Sequence, residues 1–187
     1  MNKQRLRQAL RQQRKKIAPD TARHAAQTFC QHIQTLFAQH HPQHVACYLA
    51  QDGEMNVLPT IQWLRQQGVK CYLPILHPVR KGYLWFAPYH AETKMTQNHY
   101  GIDEPQYDIR SVRAPWEMDW VLMPLVGFDR QGNRLGMGGG FYDRSFAVYR
   151  PTMIGCAYAL QCVPSIPTDP WDKGMDIIVT EQEIIWG

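Results

Sequence analysis

Apolar positions fall first at helical spacing and then in short strand-like runs. Residues 2–16 contain no Pro or Gly and are rich in Leu, Ala, Arg, Lys and Gln, all good helix formers. Leu6, Leu10 and Ile17, with Ala9, trace a narrow apolar stripe. Lys3, Arg7, Arg11 and Arg14 share one face at steps of four, four and three. Pro19-Asp20 breaks this helix. Asp20 or Thr21 can cap a second, expected to run to about residue 39 on an apolar face of Ala25, Phe29, Ile33, Leu36 and Phe37. Runs at 45–49, 69–73, 83–87, 120–123, 153–157 and 177–179 read as strands, with Pro74 and Pro124 as stops. Residues 58–67, ended by Gly68, and 141–149 read as helices. Residues 88–118, broken by Pro88, Gly101, Pro105 and Pro115, read as irregular. The alternation predicts an α/β fold over residues 1–187, as one three-layer domain. A mostly parallel central sheet would be flanked by helices, with a basic helix at the N-terminus. Sheets of this kind bind ligands at the carboxyl ends of their strands.

A length of 187 residues suits one domain with a full core. Hydrophobic residues at 44% and charged residues at 19% argue against disorder. The longest strongly apolar stretch, 120–128, is interrupted by Pro124 and Gly127 and is too short to span a membrane. No apolar segment of a secretory signal opens the chain, and the lack of Ser and Thr before Thr21 weakens a transit peptide. Cys30, Cys47, Cys71, Cys156 and Cys162 are dispersed without a C-x-x-C, which suits free thiols and a cytoplasmic location. His40, His41 and His44, with Pro42 among them, read as a solvated turn.

Charge alters this picture by its distribution. Lys3, Arg5, Arg7, Arg11, Arg14, Lys15 and Lys16 lie in residues 1–19, which hold no acid; the net charge is only +4 because the rest of the chain is acidic. A basic arm suits nucleic acid, but no RNA- or DNA-binding motif accompanies it, so a solvated helix face is the plainer reading.

The segment with most chemistry runs from Val126 to Arg144. It contains Gly136, Gly138, Gly139 and Gly140 between the flanking Arg134 and Arg144. Such glycines let backbone approach a ligand and free N–H groups to point at an anion, and the arginines can bond phosphate oxygens. Asp143 follows, where a carboxylate could hold a divalent cation. The competing reading is a surface turn with a capping Asp. The loop is neither a Walker A sequence nor a Rossmann fingerprint.

This segment resembles the signature of the 5-formyltetrahydrofolate cyclo-ligase family, with Phe128-Asp129, Arg134-Leu135-Gly136 and Tyr142-Asp143-Arg144 in order. Further matches are Lys3-x-x-Leu6-Arg7, Tyr48-Leu49 followed by Glu54, Gly101-Ile102-x-Glu104-Pro105, Gln161-x-Val163, and the block from Asp172 to Glu181. The resemblance implies a ligase that uses ATP and Mg²⁺ to close 5-formyltetrahydrofolate into 5,10-methenyltetrahydrofolate; a monomer is expected, and the surplus basic residues suit a polyglutamate tail on the substrate. The resemblance implies no nucleic-acid or membrane partner.

By the same resemblance, Arg134 and Asp143 are catalytic. The ATP site comprises Lys3, Gln4, Arg5, Leu6 and Arg7, together with Arg134, Leu135, Gly136, Met137, Gly138, Gly139, Gly140, Phe141 and Tyr142. The folate meets Leu49, Glu54, Met137, Gly138, Gly139, Gly140 and Phe141, and Phe141 or Tyr142 packs on the flat pterin. Asp143 and Asp172 bind Mg²⁺, with Asp169 as the alternative to Asp172. One departure stands out. Many members carry a Lys in the loop where this chain has Gly139, so Arg134, Arg144, Lys3 or Arg7 must supply the missing charge. Two other classes stay open: an α/β enzyme using the loop for a sugar phosphate or coenzyme A, and a nucleic-acid module acting through the first helix.

Overall fold

Asn2 opens the first helix by accepting a hydrogen bond from the Gln4 amide at 2.8 Å. The computed structural model describes residues 2–98 and 101–187. In chain order the helices are α1 (Lys3–Arg14), α2 (Pro19–His40), α3 (Leu58–Gln66) and α4 (Phe141–Ser145). The strands are β1 (His44–Ala46), β2 (Lys70–Leu76), β3 (Leu84–Pro88), β4 (Met95–Gln97), β5 (Asp103–Pro105), β6 (Trp120–Pro124), β7 (Gly127–Phe128), β8 (Arg134–Leu135), β9 (Thr152–Cys156), β10 (Ile177–Val179) and β11 (Ile184–Trp186).

Seven strands form the main sheet in the order β11-β10-β9-β6-β1-β2-β3. The inner pairs β2–β1, β1–β6, β6–β9 and β9–β10 are parallel, and the edge strands β3 and β11 run antiparallel. The expected α/β class is therefore found, with a mixed sheet. On one face Phe29, Ile33 and Leu36 of α2 and Ile61 and Leu64 of α3 pack on Val45, Leu122 and Ile154. The other face, centred on Phe86, Val121, Met153 and Ile178, is covered mainly by irregular chain, with Phe146 after α4 among it. Helical cover is thus lopsided. Leu6 and Leu10 fix α1 to the β7–β8 hairpin in a separate cluster with Val126, Leu135 and Ile166. Among the described residues, no helix is long and apolar enough to cross a membrane.

Several expected boundaries move, each for a local reason. β2 runs through Pro74 because that residue's missing N–H would face the side where β1 has already ended, opposite Tyr72. The segment 88–118 contains the β4–β5 hairpin, fastened when Glu104 Oε1 accepts from the Leu76 amide at 2.9 Å and from Asn98 Nδ2 at 2.8 Å. The helix expected over 141–149 stops at Ser145, since Val148 and Tyr149 are exposed and give it nothing to pack against. The strand expected over 45–49 is only His44–Ala46, which leaves Tyr48 and Leu49 on the connection beyond it. β11 has no counterpart in the expected elements.

Candidate active site

Two segments leave the carboxyl ends of neighbouring parallel strands. β1 feeds residues 47–54, and β6 feeds the β7–β8 hairpin and the glycine loop. Because β1 lies between β2 and β6, the strand order reverses between β1 and β6. This is the switch-point crevice where open α/β sheets take ligands.

The loop is shaped by Gly138 and Gly140, whose φ angles of 96° and 65° lie in the left-handed region that glycine occupies without a Cβ penalty. α1 lies along it. Arg7 Nε donates to the Gly136 carbonyl at 2.7 Å. Lys3 Nζ bridges Asp169 at 2.6 Å and Asp172 at 2.8 Å. Arg144 is anchored to backbone instead, donating to the Gly82 carbonyl at 2.9 Å and the Gly139 carbonyl at 2.6 Å. Of the four candidates for the missing lysine charge, Arg7 and Arg144 both bond the loop backbone, at Gly136 and Gly139. Arg134 Nη2 donates to Asp143 Oδ1 at 2.5 Å, while its buried Nε meets no acceptor. Such an orphaned donor is uncommon and marks a place for an unseen acceptor.

The candidate metal carboxylates sit on adjoining segments, because the amide of Lys173, next to Asp172, donates to Asp143 Oδ1 at 3.2 Å. Burial would raise the Asp172 pKa, but the Lys3 hydrogen bond and the Asp169 amide hold it below its ordinary value. Among the described residues, no group of three or more His, Cys, Asp or Glu is placed to hold a metal. Two carboxylates, completed by phosphate oxygens and water, remain a chemically suitable set for a hard cation such as Mg²⁺.

On the β1 side, Glu54 is half-buried, and burial pushes its pKa up. One oxygen accepts from the Gln51 amide at 3.1 Å. Burial, followed by the Glu54 charge, pushes the Tyr142 phenol well above its usual range, which puts the two side chains within electrostatic reach. Phe141 and Tyr142 both pack partly on the sheet.

The other predicted site residues fall into place less directly. The Leu6 and Leu135 side chains are buried in the cluster under α1, so only their backbone can face a ligand. Leu49 packs against the α2–α3 core. Gln4, Arg5 and Met137 are exposed. The basic face of α1 corrects the solvated reading of Arg11, Arg14 and Lys15. All three are paired with Asp52, and Arg14 is only 1% exposed. Sequence reasoning missed Asp52 as this hub. The available signal was the step of four from Leu6 and Leu10 to Arg14, which continues the buried stripe. It also missed buried Asp129, whose carboxylate accepts from the amides of Gln131, Asn133 and Ile166 and so shapes the hairpin that carries the loop.

Comparison with known proteins points the same way. A model of the 5-formyltetrahydrofolate cyclo-ligase family matches residues 1–181. A 5-formyltetrahydrofolate cyclo-ligase of Haemophilus influenzae is 39% identical over 181 residues, covering 95% of this chain and 97% of the relative. The enzyme of that name from Escherichia coli is 35% identical over 178 residues, covering 94% and 98%. The NMR structure of Aquifex aeolicus 5,10-methenyltetrahydrofolate synthetase matches with a TM-score of 0.85 at 26% identity, over 100% of this chain and 93% of that one.

Proposed function

The chain belongs to the 5-formyltetrahydrofolate cyclo-ligase family and is a ligase; from that premise we propose that it closes 5-formyltetrahydrofolate to 5,10-methenyltetrahydrofolate with conversion of ATP to ADP and phosphate. The formyl oxygen is a poor leaving group. Transfer of the γ-phosphoryl group to it makes a good one, and N10 of the same molecule then attacks the formyl carbon. Phosphate leaves as the ring closes. The attack is intramolecular, so holding the folate in a reactive conformation supplies much of the acceleration. Phosphoryl transfer asks mainly for cations and N–H donors around developing charge.

The observation that carries this reading is the buried, unpartnered Nε of Arg134 beside the glycine loop. A phosphate oxygen is the acceptor that would complete it. Arg134 would stabilise charge on the transferring group. Arg7, Lys3 and the amides of residues 136–140 would cradle the polyphosphate. Asp143 and Asp172 would hold Mg²⁺, which supplies charge neutralisation on the phosphates when bound. Glu54 would accept hydrogen bonds from pterin N–H groups, with Phe141 or Tyr142 against the ring. The α4 helix is too short to lend much dipole, so the loop amides and cations carry the anion binding.

Incubation with 5-formyltetrahydrofolate and Mg-ATP tests this directly. ADP and the methenyl chromophore should appear together in equal amounts. Folded protein that forms neither sinks the reading, and tight ATP binding without folate-stimulated turnover points to a different phosphoryl transfer. Asp143→Ala should abolish Mg-ATP use at unchanged fold.

A further inference from the structure

We propose that Arg14 is a positioning residue that couples nucleotide binding to folate binding across the crevice between β1 and β6. The inference rests on the reading above, in which the loop over 134–142 takes ATP and the turn at Glu54 takes folate. Arg14 is hydrogen-bonded to neither Glu54 nor the loop, although its charge reaches the Glu54 carboxyl. Its side chain is fully enclosed, and its guanidinium is spent on other segments. Nε and Nη2 donate to the Asp52 carbonyl at 3.1 and 2.8 Å, and Nη2 also reaches Asp52 Oδ2 at 3.2 Å. Nη1 donates to the Leu125 carbonyl at 3.1 Å.

Those two acceptors begin the two halves of the site. Asp52 lies two residues before Glu54, in a turn where it holds a φ of 50°, unusual for a residue with a side chain. Leu125 follows β6 and opens the chain that becomes the glycine loop. Gln161, itself buried, donates to the same Leu125 carbonyl at 2.6 Å and to the Val126 carbonyl at 2.9 Å, so this exit is held from two sides. Arg11 at 2.7 Å and Lys15 at 2.5 Å close on the Asp52 carboxylate as well.

The same helix reaches the loop at its other end. Arg7 holds the Gly136 carbonyl and Lys3 holds Asp169 and Asp172. α1 is therefore a rigid strut of 12 residues that meets the nucleotide side near its start and the folate side near its end. A ligand that orders one end lowers the ordering cost at the other, and binding energies coupled in this way are reciprocal. Arginine suits the joint because its planar fork serves two carbonyls at once, which a lysine ammonium on a flexible stem cannot reproduce.

The test is calorimetric titration of 5-formyltetrahydrofolate with and without a non-hydrolysable ATP analogue, on wild type, Arg14→Lys and Arg14→Gln. Wild type should bind folate about 5-fold or more tighter with the analogue present, the lower end of ordinary coupling. In Arg14→Lys that ratio should fall to about one, with each ligand alone binding within about threefold of wild type and the KM for folate at saturating ATP rising by the lost factor while kcat changes less. Should Arg14→Lys fail to fold, Arg14→Gln carries the test, since it keeps part of the buried stem and removes the fork that joins the Asp52 and Leu125 carbonyls. An undiminished ratio in a folded variant, or a ratio of one in wild type, overturns the proposal. Wild type that binds nucleotide but no folate overturns the site reading, and the coupling with it.

Discussion

Arg134 grips Asp143 through one arm of its guanidinium at 2.5 Å and leaves its buried Nε without an acceptor. One side chain thus fixes the candidate metal carboxylate and keeps a spare buried donor. Replacement by Lys keeps the charge and loses the planar fork. Arg134→Lys should lower kcat by about 10²- to 10³-fold, the usual effect of removing a donor aimed at transition-state charge. Folate affinity should barely change. Steady-state kinetics beside a folate titration separate the two; an equal loss in both would make Arg134 a structural residue.

Arg7 is the α1 cation that lies on the glycine loop, bonded to the Gly136 carbonyl. A Cβ built on Gly138 would stand 3.6 Å from Arg7 Cζ, so the guanidinium lies flat against the loop. Arg7→Ala should raise the KM for ATP by about tenfold, in line with one charge-assisted hydrogen bond of about 1.5 kcal/mol. The melting temperature should hold, because Leu6 and Leu10 anchor α1. A melting temperature that collapses would show instead that the Gly136 contact holds the helix in place.

Gly139 itself offers the reciprocal experiment. Its backbone is not among the left-handed glycines, but an added Cβ would meet Phe141 Cδ2 at 2.9 Å and Cε2 at 3.1 Å. The ring must therefore shift. Gly139→Lys should lower the KM for ATP while costing about 1 kcal/mol of stability, as mild overpacking does. Thermal melts and ATP titration check the two halves. In the Arg7→Ala background the new lysine should recover part of the lost affinity; no recovery would place the two charges at different phosphates or at none.

Much of this was legible in the chain because it depends on local pattern. The helical stripe of α1 and α2, the buried runs of β6 and β9 and the glycine loop need no tertiary knowledge. The β11 edge was not legible because Ile184–Trp186 is a run of only three residues; once it is seen, its short link to β10 leaves no room for a parallel crossover, so the pair is antiparallel. The joint at Arg14 was hidden for a different reason. Position 14 continues the apolar stripe, yet its residue type belongs to the basic face. Only the fold shows that the carbonyls of Asp52 and Leu125 lie where that side chain ends. The sixteen acids and thirteen bases beyond residue 19 now have a partial address, because Asp52, Asp169 and Asp172 take up four of the seven N-terminal cations, Lys3, Arg11, Arg14 and Lys15.

Glu54 gives the site a pH signature whose sign can be worked out. Burial raises its pKa above the ordinary carboxylate value, so the folded protein holds the Glu54 proton more tightly than the unfolded chain does. As pH falls through that raised value, the carboxylate is lost as an acceptor for pterin N–H groups. kcat/KM for folate should therefore decline on the acid side at a pH above that of an exposed glutamate, while stability from this group does not decline there. Glu54→Gln keeps an oxygen for the Gln51 amide and removes the buried charge. That variant should lose folate affinity, hold or raise its melting temperature, and no longer show the acid limb in kcat/KM. A limb of unchanged position in Glu54→Gln would assign the titration to another group and remove Glu54 from pterin recognition.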